Sequence, residues 1–155
     1  MALTSLMMQV HGTGLSVGGI GVLLRGAPGT GKSDLALRLI DGGAELVSDD
    51  QTVLESENGR LRMSSPSVLE GLLEVHGVGI FPVPCARDIG LGLIVDLLGP
   101  RDRIERMPEK EYEEVLGVRV RRVRLHGYMP SAPAKIRMLV KNLEVDPAPG
   151  EWPRR

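Results

Sequence analysis

Aromatic side chains are scarce in this chain of 155 residues, and cysteine occurs once. The aromatics are too few for the stacking surface that single-stranded nucleic acid requires; they are Phe81, Tyr112, Tyr128 and Trp152. Cys85 has no second cysteine with which to form a disulfide or a cysteine metal cluster. We therefore expect a buried or inert thiol and no nucleic-acid partner.

Long apolar runs and a leader segment are also missing. No stretch approaches the roughly 18–20 apolar residues that cross a bilayer, and the N-terminus lacks a basic segment followed by an apolar core. We expect one soluble, cytoplasmic domain without a membrane partner. Residues 1–98 hold 6 basic and 11 acidic side chains, whereas residues 99–155 hold 13 and 9. The basic end can face an acidic protein or phosphate.

The most informative segment that is present is residues 26–33, GAPGTGKS, which match the P-loop pattern GxxxxGK[ST]. An apolar run precedes them and a helical pattern follows. Backbone N–H groups of such a loop hold phosphate oxygens, Lys32 bridges the terminal phosphates, and Ser33 offers its hydroxyl to Mg²⁺. We predict binding of ATP and Mg²⁺ by Gly26, Ala27, Pro28, Gly29, Thr30, Gly31, Lys32, Ser33 and Asp34.

Hydrophobic periodicity predicts an α/β fold with a mixed sheet and flanking helices. The strand predictions include residues 3–10, 44–48, 91–98 and 118–125, and a hairpin is predicted to turn at residues 58–59. Helices are predicted at residues 33–41, 67–73, 109–115 and 134–143. We expect residues 1–146 to form a P-loop kinase domain and residues 147–155 a disordered tail.

Two adjacent acids, Asp49 and Asp50, follow the predicted strand 44–48. Phosphoryl transfer needs a metal ligand beside the P-loop serine and a carboxylate that accepts the proton of the acceptor hydroxyl. Repulsion keeps one of two neighbouring carboxylates partly protonated, so the pair can divide these tasks. The alternative is a turn capped by aspartate. Glu74 and Asp96 are further candidates for Mg²⁺, Asp96 being the weaker because its strand continues apolar.

His11 lies in a glycine-bracketed segment before the P-loop, where a lone histidine is more often structural than catalytic. The arginines of residues 119–124 fit a solvated strand face better than a binding surface.

Several short pieces of the chain occur in one order: Val10-His11-Gly12, Gly31-Lys32-Ser33-Asp34, Leu46-Val47-Ser48-Asp49-Asp50, Leu73-Glu74-Val75-His76-Gly77-Val78-Gly79-Ile80, Ala86-Arg87-Asp88 and Leu116-Gly117-Val118. This ordered set, which spans most of the chain, resembles the catalytic domain of HPr kinase/phosphorylase. Enzymes of that family phosphorylate a serine of the phosphocarrier protein HPr. The chain resembles a short form that carries the C-terminal catalytic domain only.

The resemblance implies that His11 and the Asp49-Asp50 pair form the catalytic centre, and the P-loop pattern adds Lys32 as a catalytic residue. One aspartate would act as base in the kinase direction and as acid in phosphorolysis. A serine kinase acting on HPr or an HPr-like carrier is therefore expected.

The resemblance also implies Mg²⁺ near Ser33, Asp34 and Glu74, and Asp50 is a further candidate ligand. It implies ATP as donor, inorganic phosphate as a reactant and pyrophosphate as a product of the reverse reaction, and the homohexamer of the family.

Three residues are candidates for binding phosphate or carrier: His76, Arg87 and Lys135. His76 and Lys135 stand where the family has arginine, and Asp34 stands where it prefers glutamate. Since histidine and lysine do not reproduce the planar, always-charged guanidinium, we expect phosphorolysis to be weaker than kinase activity.

Two other functions share the P-loop. A small-metabolite kinase would carry a flexible, arginine-bearing lid, whereas the arginine-rich residues 118–125 look like a strand. A nucleotide-sensing module without catalysis is favoured if Asp49 and Asp50 serve only as a turn.

Overall fold

The computed structural model describes residues 6–66 and 70–143, which form eleven strands and two helices. In chain order the elements are β1 (Leu6–His11), β2 (Thr13–Val17), β3 (Ile20–Arg25), α1 (Lys32–Asp41), β4 (Glu45–Ser48), β5 (Gln51–Glu57), β6 (Arg60–Ser64), β7 (Leu72–Val75), β8 (Gly79–Pro82), β9 (Ile89–Leu97), β10 (Glu111–Val115), β11 (Val118–Leu125) and α2 (Ala132–Asn142). The predicted α/β fold with a mixed sheet and flanking helices is confirmed.

Three parallel strands form the centre of the main sheet, with β9 between β3 and β11. On the far side of β3 lies β2, antiparallel to it, and β4 is antiparallel to β2. Strand β4 therefore runs in the same direction as β3. The carboxyl ends of β3, β4, β9 and β11 lie at one edge, which we call the carboxyl edge. Strand β6 pairs with the start of β9 and continues through β5 to β1, and β10 pairs with β11.

Strand β3 shows how the sequence builds the core. Val22 and Leu24 are buried in a cluster that includes Leu35 of α1 and Ile136 of α2. Leu23 points to the opposite face of the sheet and is buried in a second cluster. Both faces of β3 are thus covered, which explains why its sequence is apolar throughout. Full burial of each of these side chains contributes about 1.5–3 kcal/mol.

The predicted helix at residues 109–115 is wrong, because most of this segment forms β10, antiparallel to β11. Glutamate favours helices locally, but the pairing places the Tyr112 ring 4.2 Å from the guanidinium carbon of Arg119. It also places Glu111 Oε2 3.2 Å from Arg122 Nη1. These cross-strand pairs outweigh the local preference.

The predicted helix at residues 67–73 is wrong at its end, since Leu72 and Leu73 begin β7, which pairs with β8. Gly71 has φ 80°, which a right-handed helix does not accommodate, and Leu73 is fully buried. Residues 67–69, the start of the predicted strand 3–10, and the predicted tail at 147–155 lie outside the described residues.

The other two predicted helices are confirmed with small shifts of their ends, as Lys32–Asp41 and Ala132–Asn142. Pro133 lies in the first turn of α2, where its missing N–H group leaves no hydrogen bond unmade. Neither helix of the described residues has the length and apolar character needed to cross a membrane.

Candidate active site

The P-loop connects the end of β3 to the start of α1. Gly29 and Gly31 have φ 85° and 96°, a region that glycine enters without strain. Lys32 Nζ donates to the carbonyl oxygen of Gly26 at 2.5 Å, so the lysine folds back over the loop. The Thr30 hydroxyl donates to the Ala27 carbonyl oxygen at 2.7 Å. The segment thus has the strand, loop and helix order that its sequence predicts.

Gly26 has no room for a side chain. A Cβ atom there would lie 2.5 Å from Thr30 Oγ1 and 3.2 Å from the carbonyl oxygen of Leu97, at the end of β9. The first residue of the P-loop is therefore packed directly against the neighbouring parallel strand.

Sheet topology brings Asp49 and Asp50, which we call the acid pair, to the same edge as the P-loop. Asp49 and Asp50 follow β4, and the P-loop follows β3. Only β2 lies between these strands: Thr13 is opposite Leu24 of β3, and Gly14 is opposite Ser48 of β4. Neighbouring strands lie about 4.8 Å apart, so the ends of β3 and β4 are roughly 10 Å apart across the sheet.

Asp49 is half-buried, and its environment differs from that of Asp50. Burial raises the pKa of Asp49, and the nearby carboxylates of Asp50 and Glu74 act in the same direction. A hydrogen bond from the backbone of Glu74 and one from the Thr13 hydroxyl, 3.4 Å from Asp49 Oδ1, oppose this rise in pKa. Asp49 therefore holds a proton more readily than an ordinary aspartate.

Asp50 is exposed and has φ 64°, in the left-handed region that aspartate enters at a cost of about 1 kcal/mol. Its backbone is fixed on both sides. Its N–H group donates to Thr13 Oγ1 at 3.2 Å, and its carbonyl oxygen accepts the N–H group of Gly12 at 2.8 Å. The two aspartates thus occupy a tight turn, but they are not equivalent within it.

His11 ends β1 directly opposite Gln51, the first residue of β5. The Gln9 amide donates to the Gln51 side-chain oxygen at 3.1 Å, which leaves the Gln51 amide nitrogen facing His11 Nδ1 at 2.9 Å. In neutral His11 the Nδ1 atom accepts this hydrogen bond, so the proton is on Nε2. The next residue, Gly12, bonds to Asp50, so the backbone of His11 lies close to the Asp49-Asp50 turn, and its imidazole is exposed.

A cleft of about 360 Å³ opens beside the acid pair. Asp49, Asp50 and Glu74 line it, together with Gln51 and Glu70. Among the described residues no group of three or more His, Cys, Asp or Glu side chains is arranged to hold a metal ion by itself.

The other predicted metal candidates, Ser33, Asp34 and Asp96, do not line this cleft. Ser33 is exposed in the first turn of α1. Asp34 accepts a hydrogen bond from Arg38 at 2.9 Å. Asp96 is paired with Arg25 at 2.8 Å and with Arg122 at 2.5 Å, so its carboxylate is occupied by guanidinium groups.

The three predicted phosphate-binding residues occupy three different settings. His76 is exposed in the turn between β7 and β8. Arg87 pairs with Glu70 at 2.7 Å, at the rim of the acid-pair cleft. Lys135 lines a different cleft, near the start of α2.

Thr13 and Gln51 were not among the predicted site residues, although they orient Asp49, Asp50 and His11. The local pattern around each is that of an ordinary strand residue, so the sequence carried little signal. The sequence signal that could have identified them is their position in the chain, since Gln51 follows Asp50 and Thr13 lies two residues after His11.

Comparisons with known proteins agree with this architecture. The family described as HPr serine kinase C-terminal domain matches residues 3–135. HPr kinase/phosphorylase from Clostridium tetani is 37% identical over 110 residues, 71% of this chain and 36% of that protein. The Bordetella pertussis protein of the same name is 39% identical over 127 residues, 75% of this chain and 41% of that protein.

The solved structure of Hpr(Ser) kinase/phosphatase from Coxiella burnetii superimposes with a TM-score of 0.78 at 32% identity, over 88% of this chain and 96% of that one. The chain spans about two fifths of the length of the curated relatives, 36% and 41% for the two above. The chain belongs to the HPr serine kinase C-terminal domain family.

Proposed function

We propose that the chain is an ATP-dependent, Mg²⁺-dependent serine kinase that acts on HPr or an HPr-like phosphocarrier protein. One observation carries the proposal: the P-loop, the Asp49-Asp50 turn and the end of the strand that carries His11 lie along the carboxyl edge of one sheet. The names of the relatives, HPr kinase/phosphorylase, supply the class of substrate.

The P-loop would hold the phosphates of ATP. Its backbone N–H groups and the N-terminus of α1 favour phosphate oxygens, and the Lys32 ammonium, 2.5 Å from the Gly26 carbonyl, would exchange that contact for the terminal phosphates. Because Lys32 is the first helical residue, its backbone is fixed while its side chain turns to the ligand.

The donor set suits Mg²⁺. This ion commonly takes one or two carboxylates together with phosphate oxygens and water, so it does not need a closed protein cage. The Ser33 hydroxyl and the carboxylates of Asp50 and Glu74 would hold it, and the ion would neutralise charge on the transferring phosphoryl group.

Asp49 would accept the proton of the acceptor serine. Its raised pKa brings its basicity closer to neutral pH, which improves a general base, and its Thr13 and Glu74 hydrogen bonds fix its orientation. His11, with a proton on Nε2, would donate a hydrogen bond to the reacting oxygen or phosphoryl group. In the reverse direction protonated Asp49 would return the proton to the serine oxygen as inorganic phosphate takes the phosphoryl group and pyrophosphate leaves.

Three further parts of the proposal concern the cellular location, the oligomeric state and the favoured direction of the reaction. We place the reaction in the cytoplasm, where ATP and phosphocarriers occur together. We retain a homo-oligomer as a prediction, to be measured by light scattering. Phosphorolysis is the weaker direction, because His76 and Lys135 replace arginines and lie in separate settings.

The rival small-metabolite kinase predicts a mobile arginine-bearing lid. The arginine-rich residues 118–125 form β11 and are hydrogen-bonded to both β9 and β10. They are therefore held in the sheet.

Incubation with γ-labelled ATP, Mg²⁺ and purified HPr-type carriers tests the proposal. We expect label on one carrier serine, identified by peptide mapping, and no transfer by the Lys32→Ala variant. Transfer to small hydroxyl metabolites with none to any carrier would favour the rival kinase. Nucleotide binding without transfer to either would favour the sensing module.

A further inference from the structure

A second cleft, of about 560 Å³, lies beside the start of α2. One wall is the irregular segment 102–106 between β9 and β10, and the other is formed by the end of β11 and the residues that follow it. Its lining combines the apolar side chains of Ile104, Leu125 and Met129 with the cations Arg103 and Lys135 and the imidazole of His126. The volume is in the range of small-molecule sites, about 300–1,000 Å³.

The segment after β11 joins this cleft to the P-loop. A Cβ atom on Gly127 would lie 2.6 Å from the Thr30 carbonyl oxygen, so the two backbones are in direct contact. The Tyr128 ring covers Gly31, whose Cβ position is 3.3 Å from the nearest ring atoms. One wall of the cleft is therefore built against the loop that would hold phosphates.

Hydrogen bonds from Arg38 of α1 also hold this wall of the cleft. Its guanidinium donates to the carbonyl oxygen of Gly127 and, at 3.1 Å, to that of Met129, while its Nε atom bonds to Asp34 at 2.9 Å. The first turn of α1, where the inner phosphates of a nucleotide would lie, is thus tied to the cleft wall by one side chain.

We propose that this cleft binds the nucleoside end of the nucleotide whose phosphates occupy the P-loop. This inference rests on the proposed function, because it takes the P-loop as the phosphate site. The terminal phosphate must face the acid pair across β2, so the nucleoside leaves the loop on another side. The segment 126–131 borders the loop and opens into the cleft.

The chemistry of the lining fits a planar, polar heterocycle attached to an anion. Ile104 and Met129, 39% and 47% exposed, offer apolar surface that water now covers. The His126 ring and the Arg103 guanidinium can stack on a base, and Lys135 adds positive charge toward the phosphates. Two acids, Asp102 and Glu105, also line the cleft, and Asp102 Oδ2 accepts the Gly99 N–H group at 2.9 Å.

Comparing two ligands separates this cleft from the P-loop. ATP and inorganic tripolyphosphate present similar phosphates, but only ATP carries a nucleoside. With Mg²⁺ and calorimetry we expect wild-type protein to bind ATP more tightly than tripolyphosphate. Met129→Ala and, separately, Ile104→Ala should raise the Kd for ATP roughly ten-fold and leave that for tripolyphosphate within about two-fold.

Met138→Ala is the matched control, because Met138 is an exposed methionine, 64% accessible, on α2 outside the cleft lining. It should change neither Kd. Equal weakening of both ligands by Met129→Ala, or equal wild-type affinity for both, overturns the inference while leaving the P-loop assignment intact. Binding of neither ligand by wild-type protein overturns the proposed function and the inference with it.

Photolabelling gives an independent readout that does not depend on a variant. An ATP analogue with a photoreactive azide on the base should label peptides containing residues 102–106 or 126–135, and excess ATP should suppress the label. Competed labelling confined to other segments, such as β7 and β8, contradicts the proposed cleft.

Discussion

Removal of Arg25 should reveal how firmly the start of the P-loop is held. Arg25 is the last residue of β3, directly before Gly26, and makes four hydrogen bonds to two acids. Two go to Asp96 of β9, at 2.8 and 3.0 Å, and two go to Glu113 of β10, at 2.7 and 2.8 Å. The substitution Arg25→Ala removes all four hydrogen bonds. Of its two arginine partners, Asp96 then keeps Arg122.

The magnitude follows from the exposure of these groups. Arg25 and Asp96 have 27% and 19% of their side chains exposed, so water screens the pair only in part. Breaking a buried pair at one partner costs about 3–5 kcal/mol, whereas an exposed pair contributes about 0–1 kcal/mol. We expect a loss of about 2–3 kcal/mol in the free energy of unfolding, which lowers Tm by about 4–12 °C for a domain of this size.

The effect should depend on pH in a defined direction. Hydrogen bonds from Arg25 lower the pKa of Glu113; burial would raise the pKa of Asp96, but hydrogen bonds from Arg25 and Arg122 outweigh it and lower that pKa. Carboxyls with lowered folded-state pKa values stabilise the fold above their unfolded pKa, about 4, and lose that contribution as the pH falls through the folded value. The Tm difference between wild type and variant should therefore be full near pH 7 and shrink below about pH 4.

Thermal and urea unfolding at several pH values measure this difference, and the KM for ATP reports on the loop itself. Arg60→Ala, at an exposed arginine that begins β6, is the control and should change Tm by little. A Tm of Arg25→Ala equal to that of Arg60→Ala, or a difference that grows toward acid pH, would refute the reasoning.

Four further predictions concern the candidate site. Lys32→Ala should abolish phosphoryl transfer with circular dichroism unchanged; normal turnover and nucleotide binding in that variant would remove the loop from the active site. Asp49→Asn and Asp50→Asn should each lower turnover roughly 10²-fold or more, and full activity in both would leave the pair as a turn. His11→Ala should slow transfer without weakening ATP binding in calorimetry, whereas lower thermal stability alone would mark a structural histidine. His76→Arg should increase pyrophosphate release from serine-phosphorylated carrier in phosphate buffer, unless robust wild-type phosphorolysis proves insensitive to residue 76.

Local features of the fold were predictable because they depend on contiguous residues. The P-loop needs its glycines, Lys32 and Ser33 in one run, and the hairpin at residues 58–59 needs only its Asn-Gly turn. Strand β10 was missed because its glutamates favour a helix until β11 supplies cross-strand arginines. That partner is set by the topology of the sheet, which local periodicity does not contain.

In the candidate site, too, the features that depend on residues far apart in the chain could not be predicted from the sequence. The sequence predicted that Asp49 and Asp50 follow a strand, but the hydrogen bonds that hold the Asp49 carboxylate come from Thr13 and from the backbone of Glu74, far away in the chain. Asp96 looked available to a metal because its arginine partners are 26 and 71 residues away in the chain. No short pattern contains such pairs.

Strand β2 fixes the distance between the P-loop and the acid pair. It separates the end of β3 from the end of β4 by one strand, so the distance between the P-loop and the acid pair follows from the strand spacing and does not depend on the lengths of the connecting turns. The turns at Gly18-Gly19 and Gly42-Gly43 lie away from the carboxyl edge, and lengthening them leaves that gap unchanged. A one-residue slip of β2 would instead move Thr13 away from both aspartates and turn its side chain to the other face. The distance between the P-loop and the acid pair is therefore set by the register of five residues, Thr13–Val17.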